Sequence, residues 1–420
     1  MTRLVFIIAI MCFSQSVLAF PVDMIERRKD QKQTTPGYIF TPAAANIPGI
    51  GFTYGILGSF FNVNESETDL FGFQFFGDLT GKGVGVTDLF VIPAYAELLT
   101  LNLFWNSFEK IGVEQNRRGI KSSRADRSLI ELDQYDAAIA QLNLRFFERR
   151  WQINASVNTQ TSRLSAVRDK EGELVTRGNG EAQKSVNRAY GTIVDLTDDR
   201  SDPRQGLQAE AYRYDRPRPP ESEPYFYTMD YSLLYFVPIG RISTWAFNIY
   251  RSDAVMIDEG DTNSADIREK LGFNCQNAPN KAECENVRES FVEEQVATNR
   301  YGTATPIGGT QRLRSYVTNR YYAAHSLFAG TEFRWNLTEE FTPFNIIVAG
   351  GVRTGIQTAF FIEGGTVSDR ESELTKNWKY SYGAGVRAIL ASGFVVRFDL
   401  ATGSEGTQPV LVFQYPWMVF

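Results

Sequence analysis

The chain has 420 residues and a formal net charge of −6, which argues against a nucleic-acid partner because such proteins carry a basic patch. After Ala19 no run of 18 apolar residues occurs, which excludes a protein that spans a membrane with helices. Aromatic residues make up 13% of the chain and 34 residues are glycine, a composition that favours many strands joined by tight turns.

The amino terminus has the pattern of a secretory signal peptide. Arg3 precedes an apolar run from Leu4 to Phe13, and the small-residue site Val17-Leu18-Ala19 follows. This order predicts export and cleavage after Ala19. We therefore divide the chain into a signal peptide (1–19), a short periplasmic lead-in (20–37) and one β-barrel domain (38–420).

From Tyr38 onward, strand-like segments follow one another, and very short connections alternate with long polar ones. This spacing is typical of an antiparallel barrel whose two ends face different compartments. We count about sixteen strands, of roughly 10 residues each where they cross a membrane. In chain order they are 38–45, 52–61, 70–78, 86–95, 97–108, 135–147, 151–164, 189–196, 207–214, 225–237, 242–255, 324–337, 354–367, 379–390, 395–402 and 410–417.

Within the strands, apolar and polar residues alternate. In 327–336, Glu332 and Arg334 share one parity, whereas Phe333 and Trp335 share the other. A transmembrane barrel requires this pattern, with polar side chains inward and apolar ones outward. A soluble sandwich also alternates, but the signal peptide, the number of strands and the aromatic carboxyl terminus favour the barrel.

A long polar segment, 257–308, separates the eleventh and twelfth predicted strands and falls on the outer side if the amino terminus is inside. Its two cysteines, Cys275 and Cys284, are nine positions apart. In an oxidising compartment we expect them to form a disulfide bond. The alternatives are two free thiols or a metal site that lacks its other ligands.

The stretch Gly309–Tyr322 closes this segment and carries three arginines, at positions 312, 314 and 320, without helical periodicity. We expect the long outer loop to fold back into the lumen of the barrel. There Arg314 would pair with a carboxylate on the inner wall, because an unpaired buried charge is costly to desolvate. The alternative is that Arg314 is a solvated loop residue.

Several motifs resemble those of the BamA/TamA-like outer-membrane assembly barrels, the bacterial surface antigen family. Leu313-Arg314-Ser315-Tyr316 resembles the family's Val/Leu-Arg-Gly-Phe/Tyr loop, with Ser315 in place of glycine. Phe361–Gly365 resembles its Phe-x-Asp-x-Gly strand, with Glu363 for aspartate, and Tyr382–Arg387 resembles its Gly-x-Gly-x-Arg strand. The turn 199–206 resembles its Asp-x-Arg…Pro-x-x-Gly turn. Order and spacing agree from Tyr190 to Trp417.

The resemblance implies a lumenal loop lock in which Arg314 pairs with Glu363, supported by Tyr316 and Gly365, with Arg387 as a second contact. Alternation places Phe361, Glu363 and Gly365 on one strand face. If the loop requires a positive φ at position 315, serine would disfavour that conformation.

The resemblance also implies a role in protein assembly or translocation in the outer membrane of a Gram-negative bacterium. Lipid, protein clients and a periplasmic accessory protein would be the partners. The family's periplasmic POTRA domains are not expected, because 20–37 is too short for one. The alternative is a plugged channel or a structural barrel without insertase activity.

The last strand is expected to carry the signal by which barrels are recognised for assembly. Counting back from Trp417 gives an unbroken apolar series at every second position, Leu411, Phe413, Tyr415 and Trp417. Counting back from Phe420 meets Gln414. The pattern therefore predicts that Trp417 ends the strand.

The sequence gives little support for catalysis, a cofactor or a metal. His325 and Ser326 are adjacent in a predicted strand and therefore point to opposite faces. Since the chain has one histidine, a Ser-His site would need His325 and a distant serine. The aspartates at 195, 198, 199 and 202 form either a calcium site or, as we expect, a solvated turn. We therefore predict no enzyme.

Overall fold

The computed structural model describes residues 25–28, 36–47, 51–90, 98–178, 180–220, 222–338, 343–347, 349–390, 395–412 and 415–417. The predicted signal peptide and most of the lead-in lie outside these residues. In the described ranges, eighteen strands form one antiparallel sheet accompanied by two α-helices. None of the described helices has the length and apolar character needed to cross a membrane.

The strands in chain order are β1 (Gly37–Ile47), β2 (Gly51–Phe61), β3 (Asp69–Gly77), β4 (Thr80–Phe90), β5 (Leu99–Gln115), β6 (Ser128–Phe146), β7 (Trp151–Arg168), β8 (Leu174–Arg177), β9 (Ala182–Asp195), β10 (Gly206–Asp215), β11 (Tyr225–Ile239), β12 (Ser243–Asp258), β13 (His325–Asn336), β14 (Pro343–Ile346), β15 (Ala349–Ser368), β16 (Lys379–Leu390), β17 (Val395–Gly403) and β18 (Gly406–Val412). The described helices are α1 (Ser264–Leu271) and α2 (Lys281–Tyr301).

Neighbours in the sheet are mostly neighbours in sequence, as in a meander. The four-residue strands β8 and β14 pair with one end of β7 and one end of β15, respectively. The rest of β7 pairs with β9, and the rest of β15 pairs with β13. At the ends, β18 pairs with β17, and β1 pairs along its length with β2. Tyr38 and Ile39 of β1 also pair with β15. Among the described residues no ladder joins β1 to β18.

The count of eighteen strands differs from the predicted sixteen because of the short strands β8 and β14. Several predicted loops are also partly strand, since β5 continues to Gln115 and β6 begins at Ser128. Charged residues fit there because they pair across strands. Arg163 Nε donates to Asp133 at 2.7 Å, and Arg168 Nε donates to Glu131 at 2.8 Å. The number of charged residues in these stretches therefore does not indicate where the strands end.

The two faces of the sheet differ as the alternation predicts. On β13, Trp335 is 45% exposed, whereas Glu332 and Arg334 on the opposite face are 0% and 1% exposed. On β15, Phe360 is 56% exposed and Glu363 only 1%. We call these the exposed face and the buried face. Large apolar side chains lie on the first, and many polar and charged side chains lie on the second.

The long polar segment contains both helices, which sequence inspection did not predict. Each begins at an asparagine cap, because Asn263 Oδ1 accepts from the Ala265 N–H and Asn280 Oδ1 from the Glu283 N–H. A disulfide bond joins Cys275, which lies between the two helices, to Cys284 in α2. The helix α2 and the residues between the two helices pack against the β7–β8 hairpin through a small apolar cluster that includes Val167, Val175, Val287, Phe273 and Phe291.

Candidate functional site

The segment Gly309–Tyr322 lies against the buried face of β13 to β17, and Arg314 is its central contact. The Arg314 side chain is 0% exposed. Its Nε donates to Glu363 Oε1 at 2.9 Å, and its backbone N–H donates to Glu363 Oε2 at 3.0 Å. Its Nη1 donates to Glu332 at 3.1 Å and to Asp399 at 2.7 Å. One arginine thus contacts carboxylates from three strands.

The carboxylates in turn bind other arginines of the same face. Arg387 Nη1 and Arg334 Nε donate to Glu332 Oε1 at 2.7 and 2.8 Å. Arg397 Nη1 lies 3.4 Å from Asp399 Oδ2. These charges are all buried, so each depends on its partners to offset the cost of desolvation. We call Arg314, Arg334, Arg387, Arg397, Glu332, Glu363 and Asp399 the buried charge cluster.

Aromatic side chains also contact the buried charge cluster. The Arg314 guanidinium lies 3.4 Å from the centroid of the Phe361 ring, a cation–π contact. Trp417 Nε1 donates to Glu363 Oε1 at 2.9 Å. Arg312 stacks on Tyr250 at 3.6 Å and donates through Nη2 to the Trp417 carbonyl at 3.1 Å. The segment is therefore held by charge and by ring stacking together.

The backbone of the segment approaches β15 closely at Gly365. A Cβ built on Gly365 would lie 2.7 Å from Ile307 Cδ1 and 3.1 Å from Leu313 Cδ1. The positive φ of the motif occurs at Leu313, where φ is 52°, and not at Ser315. Ser315 donates its N–H to Ser381 Oγ at 3.0 Å. The condition under which serine would disfavour the loop conformation, a positive φ at position 315, is therefore not met.

Two further side chains bind the segment to β16, to the turn after β17 and to the connection between β5 and β6. Tyr316 Oη donates to the Tyr380 carbonyl at 3.1 Å. Arg320 Nε donates to Glu405 at 2.9 Å, and its Nη1 donates to Ser122 Oγ at 2.9 Å. The anchoring therefore extends along the whole segment.

The carboxyl-terminal residues differ from the predicted assembly signal. β18 ends at Val412, and Phe413 lies outside the described residues. Trp417 does not end a strand; it lies in a turn, with φ 72° and 0% exposure. Tyr415 Oη donates to Asp202 Oδ1 at 2.7 Å on the buried side, whereas Leu411 remains within β18.

The acidic turn between β9 and β10 is not solvated, which corrects the expectation. Asp195, Asp199 and Asp202 are at most 1% exposed. Arg27 Nη1 donates to Asp195 at 3.1 Å, and Arg28 Nη2 donates to Asp199 at 3.0 Å and to Asp202 at 3.2 Å. Burial raises the pKa of the neighbouring Asp198 carboxyl. Within the described ranges no group of side chains suited to a metal ion occurs.

The structure brings Arg314, Tyr316, Glu363, Gly365 and Arg387 together, although Arg387 contacts Glu332 instead of the segment. Sequence inspection missed the roles of Glu332, Asp399 and Trp417. The first two could have been found from parity, since each stands on the polar side of an alternating strand beside an arginine two positions away.

No protein-family model and no curated protein sequence matches this chain. Among solved structures it is similar to BamA from Haemophilus ducreyi lacking POTRA domains 1-3, with 10% identity and a TM-score of 0.46 over 92% of this chain and 69% of that one. It is also similar to CdiB from Escherichia coli, with 11% identity and a TM-score of 0.47 over 90% of this chain and 59% of that one.

A third similar structure is CdiB from Acinetobacter baumannii, with 11% identity and a TM-score of 0.45. The similarity covers 88% of this chain and 56% of that one. The chain therefore spans less than two thirds of either CdiB structure.

Proposed function

We propose that this protein is a β-barrel of the Gram-negative outer membrane, of the BamA/TamA-like superfamily, that acts in outer-membrane protein assembly or protein translocation. The observation that carries the proposal is Arg314, buried among three carboxylates on the face opposite to the exposed apolar side chains. In a membrane barrel the apolar face contacts lipid and the polar face lines the lumen. The segment Gly309–Tyr322 is then a lumenal loop.

The exposed face supports the membrane location. Large apolar side chains that are more than half exposed occur on strands far apart in the sheet, and monomeric soluble proteins rarely expose so much contiguous apolar surface. Examples are Tyr54 at 52%, Val84 at 58%, Ile249 at 57%, Ile362 at 61% and Tyr382 at 56%. Export through the signal peptide (1–19) is part of the same proposal.

The assembly or translocation role rests on the sequence motifs around Arg314, Glu363 and Arg387, which resemble those of the family. Under this role the partners are lipid, protein clients and a periplasmic accessory protein. Depletion of the protein from its native cells tests it. We expect a fall in the outer-membrane content of client proteins, measured by mass spectrometry of isolated outer membranes. Unchanged client levels after depletion would contradict the role.

A second candidate is a plugged channel or structural barrel, and the anchoring of the segment at several places favours it. Contacts at Glu363, Asp399 and Glu405 would hold a static plug as well as a functional loop. Conductance in planar bilayers separates the candidates, using the full protein and a variant that lacks residues 257–322. A large steady pore only after deletion indicates a plug.

A further inference from the structure

Three residues of complementary chemistry lie in one row across β12, β13 and β15, on the exposed face. Asp253 is directly opposite His325, and His325 is directly opposite Ser368. Directly opposed residues of antiparallel strands have their Cβ atoms about 4.5–5.5 Å apart. His325 is therefore flanked by an aspartate on one side and a serine on the other.

The contact with Asp253 determines which ring nitrogen of His325 carries the proton. His325 Nδ1 is 2.7 Å from Asp253 Oδ1. A carboxylate at Nδ1 favours the tautomer with the proton on Nδ1, which leaves Nε2 free to accept a proton. Arg251 Nε donates to the other carboxylate oxygen of Asp253 at 2.7 Å, so the carboxylate is oriented from two sides.

We propose that Ser368, His325 and Asp253 form a serine hydrolase site that cleaves carboxylic esters of membrane lipids. Ser326, the serine beside the histidine in sequence, does not take this role, because its Oγ donates to the Thr305 carbonyl on the buried face. The distant serine that a Ser-His site requires is Ser368, which lies 43 positions away in sequence and in the next paired strand.

The position of the row indicates a lipid substrate, and this assignment rests on the proposed membrane location. Phe360 and Ile362 of β15 share the face of Ser368 and are 56% and 61% exposed. Tyr380 of β16 is 59% exposed and pairs with Gly364, four residues before Ser368, which is about 13 Å along the strand. Aromatic girdles mark the interfaces of a membrane barrel, where the ester groups of glycerolipids lie.

The turn after β15 covers one side of the row. Glu371 accepts from Arg251 Nη2 at 2.6 Å, which ties this turn to β12. The side chains of His325 and Asp253 are 20% and 17% exposed, so the site is reachable but partly shielded. Ser368 Oγ accepts from the Arg370 N–H at 3.1 Å. The proposed site requires a rotation about χ1 that turns this hydroxyl from the Arg370 N–H toward His325 Nε2. The freed Arg370 N–H is then the proposed donor to the substrate oxyanion.

The chemistry needs only water as co-reactant. His325 Nε2 takes the Ser368 hydroxyl proton as Oγ attacks the ester carbonyl, and the carbonyl oxygen becomes an oxyanion. The ester C–O bond breaks, and His325 returns the proton to the leaving alkoxide. Water then attacks the acyl-serine with His325 as base, which releases the fatty acid and restores Ser368. Asp253 does not touch the substrate; it is a positioning residue.

A fluorophosphonate probe tests the nucleophile on the purified full-length protein in detergent. We expect labelling of Ser368, located by mass spectrometry, with at least a 100-fold slower rate in His325→Gln and none at this position in Ser368→Ala. The matched control is Ser185→Ala, at an exposed serine of β9, which should label normally. Heat-modifiable gel mobility establishes that every variant is folded. A folded protein in which Ser368 is not labelled, or is labelled equally in His325→Gln, overturns the proposal.

Fatty acid release from phosphatidylglycerol vesicles that contain the protein tests the substrate. We expect release that is lost in Ser368→Ala, and a fall in kcat of about 100-fold or more with little change in KM for Asp253→Asn. Release that is equal in Ser368→Ala overturns the activity, and hydrolysis of a soluble nitrophenyl ester without lipid release overturns the lipid assignment. These assays use purified protein, so their failure is distinct from failure of the assembly role, which is read in depleted cells.

Discussion

The buried face has two regions built on different principles. On β13 to β17 it carries the buried charge cluster, in which Arg314 reaches carboxylates 18, 49 and 85 positions away. On β3 to β5 it carries phenylalanines that lie over glycines of β4. A Cβ on Gly83 would be 2.5 Å from the Phe73 ring, and Phe73 stacks with Phe108 at 6.0 Å.

The two regions differ in how far away in the chain their stabilising partners lie. A charged group in the cluster is tolerated only with partners that arrive from distant strands and from the segment Gly309–Tyr322. A phenylalanine on β3 needs only its neighbouring strands. We therefore expect substitutions in the charged region to disturb the whole molecule and substitutions in the aromatic region to act locally.

The largest effect is expected for Arg314→Ala, because it leaves Glu363 and Asp399 buried with fewer partners. Removing one member of a buried ion pair costs about 3–5 kcal/mol. The midpoint of urea unfolding in detergent measures the loss. The control is Arg218→Ala, whose pair with Asp258 is 71% exposed at the arginine and should change stability by at most about 0.5 kcal/mol. Equal midpoints for the two variants would contradict the importance of the cluster.

Charge exchange between Arg314 and Glu363 tests whether the pair is isolated. The variant Arg314→Glu with Glu363→Arg places a carboxylate at position 314 beside Glu332 and Asp399, which both contact Arg314 now. We therefore expect little rescue of either single variant. Full rescue would mean that Glu332 and Asp399 contribute nothing.

A smaller effect is expected when Cys275→Ser and Cys284→Ser are combined, because the disulfide lies outside the charged region. Its loop of about ten residues corresponds to about 2–3 kcal/mol of chain entropy. We expect faster hydrogen exchange in α1 and α2 with unchanged exchange in β13 to β17. Faster exchange in both regions would show that the helices support the anchoring of Gly309–Tyr322.

Trp417→Phe removes the indole N–H that donates to Glu363 but keeps an aromatic ring beside Arg314. Since Glu363 retains its bonds from Arg314, we expect a loss of about 1–2 kcal/mol. Unfolding in urea measures it, with Trp378→Phe as the control, because Trp378 Nε1 donates to a turn carbonyl at an exposed site. An equal loss in the control would contradict a specific role for Trp417.

The smallest effect is expected in the aromatic region. Phe73→Leu removes a ring from above Gly83, but the neighbouring Phe75 and Phe104 rings can move into part of the space. We expect a loss of about 1 kcal/mol and no change in the exchange of β13 to β17. A loss as large as that of Arg314→Ala would remove the distinction between the two regions.

The strands of the sheet follow from patterns that are local in sequence, and the Arg314–Glu363 contact is implied by the resemblance of two short motifs to those of a known family. Alternation predicts which residues share a face, and a motif of four residues predicts which arginine turns inward. The additional contacts of Arg314 with Glu332 and Asp399 require knowledge of which strands are adjacent and in what register. The helices were missed because their residues are polar and their only strong local signals are the asparagine caps.

The row of Asp253, His325 and Ser368 illustrates the same limit. Sequence inspection correctly rejected Ser326, since neighbouring residues in a strand point apart. It gave no reason to choose Ser368 among the other serines, because the choice depends on the pairing of β13 with β15.

The contact between the lead-in and the acidic turn has a consequence for the order of folding. Arg27 contacts Asp195, which is 168 positions away in sequence. Next to it, Arg28 donates its backbone N–H to the Asp198 carbonyl at 2.7 Å. Contacts of such sequence separation form late, because a long loop must close before they can stabilise anything. Arg27 and Arg28, although they are synthesised before β9 and β10, are therefore expected to be fastened only after these two strands have paired.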